Sequence, residues 1–312
     1  MMATVEIDIA VCTYRRPFLR ETLASLAKLK TPQGIAIRVI VSDNDTTPSA
    51  RALVESQKAA LPFPLVYLHS PASNISIARN ACLDAASGDY LAFIDDDELV
   101  TPKWLSALFL RASETKAAVV LGPVRAIYGR DAHPLMARAD FHSTKPVVVN
   151  GQIITGYTCN ALIDRHAPSI AGRRFDLSLG RSGGEDTAFF SEVFRAGGAI
   201  AYSEGAIVLE PVTRERTNFG WLARRRFRSG QTHARLLILG GTHPLPTAVL
   251  ASAKAGICLM GAVIFAANPV SRWRFVLRGI LHAGVVAGSL GLRPLTLYGQ
   301  ALATGREKPH GA

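Results

Sequence analysis

Through the first 120 residues, short β-branched apolar runs alternate with longer stretches whose apolar positions recur every three or four residues. Ile7 to Cys12 reads as a buried strand, and Pro17 opens a helix whose Leu19, Leu23 and Leu26 share a face. Ala36 to Val41 is the next strand, Ser49 to Ala60 a helix, and Leu65 to Leu68 a strand. Ser76 to Ala86 is helical with Ile77, Ala81 and Ala85 on one side, and Tyr90 to Ile94 is strand. Alternation of this kind predicts an α/β fold with a mostly parallel sheet flanked by helices. Ligands of such sheets sit beyond the carboxyl ends of the strands. That rule singles out Thr13-Tyr14-Arg15-Arg16, Ser42-Asp43-Asn44-Asp45 and Asp95-Asp96-Asp97.

From Val119 to about Glu210 the pattern is less regular. Val119 to Val124, Val147 to Val149 and Tyr157 to Ile163 are strand-like, and the Gly-rich loop Gly180 to Gly184 leads into a helix from Glu185 to Arg195 that stops at Gly197-Gly198. An Arg-rich helix lies between Pro211 and His233, followed by two apolar segments, Thr247 to Ala267 and Phe275 to Leu292.

Composition changes this picture mainly through charge. The chain has 312 residues, 48% hydrophobic and 19% charged, with a net charge of +11. Its length and apolar content exclude a disordered chain and a small stapled scaffold. Residues 1–210 hold 21 basic and 22 acidic side chains, whereas residues 211–312 hold 14 basic and 2 acidic, so the surplus sits in the last third. Cys12, Cys82, Cys159 and Cys258 are widely spaced with no C-x-x-C pair, which fits a reducing compartment and argues against structural zinc. Glu6 and Asp8 interrupt the N-terminus, so no secretory signal is expected there.

Three adjacent carboxylates, Asp95-Asp96-Asp97, directly follow an apolar strand. Their repulsion is relieved either by solvent in an acidic turn or by a hard divalent cation such as Mg²⁺ or Mn²⁺, which could bridge to a nucleotide diphosphate. Asp43, at another strand end, is placed either to accept from a base or ribose or to close an Asx-turn. Neither G-x-G-x-x-G nor G-x-x-x-x-G-K-[ST] follows a strand, which weighs against a dinucleotide oxidoreductase or a P-loop NTPase. Glu185-Asp186 opens a helix, where the positive end favours an ionised base, or where they serve only as caps. In Arg224-Arg225-Arg226-Phe227-Arg228, the helical period puts Arg224 and Arg228 on the face of Trp221, pointing outward. It puts Arg226 with Leu222 and Ser229, pointing toward the domain, where it could neutralise a leaving diphosphate. Asn74, Arg79 and Asn80 are candidate ligand contacts, and His69, His133 and His142 read as ordinary polar or packed side chains.

Jointly these segments resemble the family 2 inverting glycosyltransferases of the GT-A fold. The resemblance rests on Ile9-Ala10-Val11-Cys12-Thr13-Tyr14-Arg15-Arg16-Pro17, Val41-Ser42-Asp43-Asn44-Asp45, Ala78-Arg79-Asn80, Gly88 to Asp97 and Gly184-Glu185-Asp186, over about the first 235 residues. It implies a Rossmann-like GT-A catalytic domain at 1–235, with a nucleotide-binding half at 1–120 and an acceptor half at 121–235. It further implies that Thr13, Tyr14 and Arg16 line the nucleotide pocket, that Asp43 contacts the base, and that Arg79 lies near ribose and phosphates. Asp97 is the implied metal ligand, with Asp95 or Asp96 toward ribose and metal waters. Asp186 of the Glu185-Asp186 pair is the implied general base, and Arg226, with Arg225, is expected to assist the departing diphosphate. Processive members carry Q-x-x-R-W after this point. Ala223-Arg224-Arg225-Arg226-Phe227 lacks both the Gln and the Trp, which favours addition of a single sugar. Within the family the chain looks most like exopolysaccharide glucosyltransferases of the succinoglycan type, which implies a UDP-sugar donor, a lipid-diphosphate-linked acceptor and Mg²⁺ or Mn²⁺.

Residues 236–312 are expected to form an apolar and basic helical hairpin on the cytoplasmic face of a bacterial inner membrane. Thr247 to Ala267 is 21 residues, enough to cross a core of roughly 30 Å at about 1.5 Å per residue. A spanning hairpin would carry Arg272 and Arg274 across, so a peripheral or re-entrant arrangement against the inner leaflet is preferred. Nucleic-acid binding through the basic region is the competing reading, and the apolar segments behind it fit lipid better, so no nucleic-acid partner is expected.

Overall fold

A computed structural model describes residues 4–293 and Leu295. The chain opens as β1 (Val5–Thr13), α1 (Leu19–Leu26), β2 (Ile35–Asp43), α2 (Arg51–Gln57), β3 (Leu65–His69), α3 (Ile75–Ala85) and β4 (Tyr90–Asp95). Each falls where the apolar period places it, α2 being shorter at both ends than Ser49 to Ala60. Next come β5 (Leu99–Val100), α4 (Trp104–Thr115), β6 (Val119–Leu121), β7 (Val124–Tyr128), α5 (Pro134–Ala139), β8 (Val148–Val149), β9 (Gln152–Ile153) and β10 (Asn160–Asp164). The rest is α6 (Glu185–Arg195), β11 (Ile200–Tyr202), β12 (Val208–Val212), a 3-10 turn at Arg214–Arg216, and the long helices α7 (Phe219–Leu239), α8 (Pro244–Ile264) and α9 (Pro269–Ser289).

The main sheet has seven strands in the order β11-β6-β10-β4-β1-β2-β3. The strands β3, β2, β1 and β4 run parallel, while β10 runs antiparallel to both β4 and β6, so the sheet is mixed. A smaller sheet, β5-β12-β7, lies beside it. In β1, Ile7, Ile9 and Val11 pack with Leu19, Leu23 and Leu26 of α1 and Trp104 of α4 on one face. Ala10 turns to the other face, with Cys82 of α3 and Phe189, Phe190 and Val193 of α6. Burial on both faces is why these strands read as continuous apolar runs.

Asn160 ties the layers together. Fully buried, it accepts from the Trp104 indole N–H at 2.8 Å and donates to the carbonyls of Pro123 (3.0 Å) and Ala206 (2.7 Å). Asn160→Ala strands two buried polar groups, the Trp104 indole N–H and the Ala206 carbonyl, each costing about 1–3 kcal/mol, whereas the Pro123 carbonyl keeps the Val208 amide. Urea unfolding is expected to show a loss of about 2 kcal/mol or more; an unchanged midpoint would refute this role.

The C-terminal helices pack onto α7 as well as onto each other. Helix α9 is sandwiched between α7 and α8. At its crossing with α7, a Cβ on Gly284 would stand 2.0 Å from the Phe227 carbonyl, and one on Gly230 2.0 Å from that of Leu281, so only glycines allow this approach. Helix α7 runs unbroken through position 235 and therefore belongs to both the catalytic fold and the C-terminal helices. Among the described residues, α8 is the one helix long and apolar enough to cross a membrane. Position 294 and residues 296–312 of the expected 236–312 region lie outside the described residues.

Candidate active site

The registers bring the expected segments to one edge of the sheet. Thr13 pairs with Asp43 between β1 and β2, and Cys12 pairs with Asp95 between β1 and β4. Chain order reverses direction across the sheet at β1, since β2 and β3 lie on one side and β4 on the other. A crevice beyond such a switch point is the ligand position of open α/β sheets. Here the Thr13 hydroxyl donates to Asp96 at 2.7 Å, closing the floor of the crevice. Arg15, with φ at 49°, turns the chain outward and pairs with Asp45 at 2.8 Å, holding that carboxyl well below its usual range. Tyr14 is left exposed at the rim. Asp43 is fully buried and accepts from the Asp45 and Ala50 amides and the Tyr67 hydroxyl. It therefore closes the turn after β2, whatever else it contacts.

The carboxylates after β4 outnumber the cations facing them. Arg16 reaches Asp96 at 3.4 Å and Asp97 at 3.5 Å. Arg216 bridges Asp97 at 3.2 Å and Glu210 at 2.8 Å. Burial, together with the charges of Asp97, Asp96 and Glu210, pushes Asp95 up to about 7 against the pull of Arg79. Burial likewise raises Asp96 to about 6, opposed by Thr13 and Arg16. Glu98 turns inward to accept the Asp95 amide at 3.0 Å and is driven well above its usual range by burial and Asp95.

The second group of carboxylates arrives on α6. Gly184, at φ 95°, is the N-cap and lets the chain enter the helix with Glu185 and Asp186 in its first turn. Glu185 is buried and paired with Arg79, whose guanidinium also lies 5.6 Å from the Phe175 ring. Asp186 accepts the Thr187 amide at 2.6 Å through Oδ1. Burial and the Glu185 charge raise Asp186 to about 6 despite Arg79. The helix end thus does not hold Asp186 below its usual value, yet it remains mostly ionised at neutral pH. Arg79 acts on Glu185, Asp186 and Asp95 together, joining the two acidic groups into one site. Asn74 and Asn80, expected as ligand contacts, serve this loop instead. Asn74 donates to the Leu177 carbonyl, and Asn80 exchanges two bonds of 2.9 Å with the Phe175 backbone.

The arginine run is arranged differently from expectation. Arg226 does share a face with Leu222, but α9 covers that face, and Arg226 lines a cleft with Arg274 and Leu277 rather than facing the acidic groups. Arg225 takes the site side, over the Trp221 ring at 5.2 Å and acting electrostatically on Glu210. Arg228, expected outward, donates to the Ser182 carbonyl at 2.8 and 3.1 Å and clamps the loop before α6. Arg224 is exposed, as expected. Four contributors escaped the sequence reading: Glu98, Arg216, Glu210 and His142. The last stacks on Trp221 at 5.5 Å and contacts the Arg216 carbonyl at 3.0 Å, fixing the turn that presents Arg216.

A mixed α/β sheet with carboxylates at the β4 end and at the α6 entry defines a glycosyltransferase of GT-A-like fold. Residues 8–168 match glycosyl transferase family 2, and the chain belongs to that family. It is 56% identical over 298 residues to the succinoglycan biosynthesis protein ExoM of Rhizobium meliloti (strain 1021), covering 95% of this chain and 96% of that one. A mannosyltransferase from Pyrobaculum calidifontis, solved with GDP-Man and Mn²⁺, superposes with a TM-score of 0.62 at 17% identity, covering 92% of this chain and 88% of that one. S. aureus TarS 1-349 with UDP-GlcNAc gives 0.54 at 17%, covering 92% of each. At these identities the two structures speak to the fold alone.

Proposed function

We propose that this glycosyltransferase transfers a single glucose, with inversion, from UDP-glucose to a lipid-diphosphate-linked oligosaccharide in exopolysaccharide assembly. The near full-length likeness to a succinoglycan biosynthesis protein supports the pathway class. The observation that carries the chemistry is Asp186, an ionisable carboxylate held near 6 and electrostatically joined through Arg79 to the Asp95-Asp96-Asp97 edge. Asp186 takes the proton of an acceptor hydroxyl, which attacks the anomeric carbon on the face opposite UDP. A single displacement of this kind inverts the centre without a covalent nucleophile on the protein. Thr13, Tyr14 and Arg16 position the nucleotide, and Arg16, Arg216 and Arg225 face the charge of its diphosphate.

The residues present fit Mg²⁺ or Mn²⁺. Their donors are carboxylate oxygens, and the burial and mutual repulsion that lift Asp95 to about 7 are the frustration a divalent cation relieves. Asp97, with Asp95, would hold it; Cys159 lies near Asp95 and Glu98, but burial keeps its thiol protonated and unsuited to ligation. When bound, the ion would neutralise charge developing on the diphosphate. Turnover of UDP-, GDP- and dTDP-sugars with membrane-extracted lipid acceptors tests the proposal. UDP-glucose should be used best, with turnover lost to a chelator and restored by Mn²⁺ or Mg²⁺; equal use of a GDP-sugar would refute the donor.

Helix α8 supports a peripheral position on the membrane. Ile257, Leu259, Met260, Val263 and Ile264 stand exposed, from 59% to 75%, within a region rich in arginine. Introducing Leu259→Asp with Val263→Asp removes about 3 kcal/mol or more of apolar transfer. Flotation on anionic vesicles should fall more than about a hundredfold; undiminished flotation would place the anchor elsewhere.

A further inference from the structure

Behind the face of α7 that meets the site lies a cleft of about 380 Å³ between α7, α9 and the segment after α5. Arg226, Arg274 and Arg278 line it, against apolar walls that include Phe141, Phe275 and Leu277. Among the described residues none of these three arginines has a carboxylate within salt-bridge range; Arg274 donates to the Ala139 carbonyl at 3.1 Å. The reason is visible in the sequence, which has no Asp or Glu between Glu215 and Glu307. Burial and the charges of Arg225 and Arg278 draw the Arg226 guanidinium down from its usual value, a tension that a bound anion would release.

We infer that this cleft binds the phosphate anion of a lipid, its guanidinium groups gripping the phosphate oxygens while the phenylalanine and leucine walls meet the adjoining chain. Guanidinium forks match phosphate geometry, and apolar walls strengthen each charge-assisted hydrogen bond. Position favours the diphosphate of the acceptor over a bulk headgroup. Arg225 and Arg226 are consecutive on α7, one over Trp221 on the site side and the other in the cleft, and Phe141 and His142 divide in the same way. Site and cleft are therefore separated by about one helix diameter, ~10 Å. A lipid diphosphate held on one side presents its glycan to the other. This placement rests on the lipid-linked acceptor proposed above.

The test measures binding of the full chain to phosphatidylcholine vesicles carrying either a long-chain isoprenoid diphosphate or phosphatidylglycerol, for wild type, Arg278→Gln, Arg274→Gln and Arg224→Gln. Arg224 is exposed on α7, outside the cleft, and controls for bulk charge. Arg278→Gln and Arg274→Gln should each weaken diphosphate-dependent binding by about tenfold, ~1.4 kcal/mol, with UDP affinity and the circular dichroism spectrum unchanged. Arg224→Gln should change it little. A matching loss on phosphatidylglycerol alone would assign the cleft to a headgroup and overturn the acceptor placement. Equal losses for Arg224→Gln and Arg278→Gln, or none for either cleft variant, would overturn the cleft as a site. If the wild type transfers glucose to no lipid-linked acceptor while the cleft variants still lose diphosphate binding, the proposed function falls and the cleft stands.

Discussion

Asp186→Asn is expected to lower turnover by about 10²–10⁴-fold while leaving UDP affinity within a factor of about two, the range general-base removal produces. The amide can still accept the Thr187 N–H through its oxygen, and removing a charge beside buried Glu185 introduces no new repulsion. The fold and the nucleotide pocket therefore survive, and the loss isolates proton removal. The pH profile gives an independent check. A base works in its deprotonated form, and burial with Glu185 raises Asp186 to about 6. Its ionised fraction is about one tenth at pH 5 and about nine tenths at pH 7, so turnover should climb with pH and level off above about 7. Single-turnover kinetics of both proteins across that window would decide the matter. Substantial residual transfer by Asp186→Asn, or an acid limb that persists in it, would reassign the base.

The parts of this site that were legible in the sequence are those where local pattern and placement coincide. Strands β1, β2 and β4 are buried on both faces and β3, at the sheet edge, is half-buried, so each appears as an apolar run whose end marks the crevice, and Thr13, Asp43 and Asp95 fall there by register. Glu185-Asp186 follows two glycines at the start of a helix, and α6 begins there as expected. The strands β5, β7, β11 and β12 are two to five residues long, too short for a period to show. Arg216 sits in an irregular turn, and its partner Asp97 is 119 residues away, a pairing no local pattern carries. The arginine run illustrates a different limit. The helical period grouped Arg226 with Leu222 correctly, but which side of α7 meets the acidic groups depends on α9 folding back onto it through Gly230 and Gly284. A wheel defines faces and does not say what covers them.

Arg79→Met is expected to be the most damaging substitution to the site as a whole, because one cation serves three carboxylates. Arg79 and Glu185 are both buried, and removing one partner of such a pair leaves an uncompensated charge at a cost of about 3–5 kcal/mol. Glu185 Oε2 already has no hydrogen-bond partner, so no other group stands ready to take up the charge. Arg79 also holds down Asp95 and Asp186, so its loss should move the acid limb of turnover above 6 as well as lower the urea midpoint. The double variant Arg79→Met with Glu185→Gln separates the two effects. It removes both members of the pair and should recover most of the stability. Arg79 and Glu185 act on Asp186 with opposite sign, so the double variant should also draw the limb back toward its original position. A single variant as stable as wild type would refute the role of the buried pair in stability. A double variant with the limb still displaced would show that Asp95, rather than Asp186, sets the pH dependence of transfer.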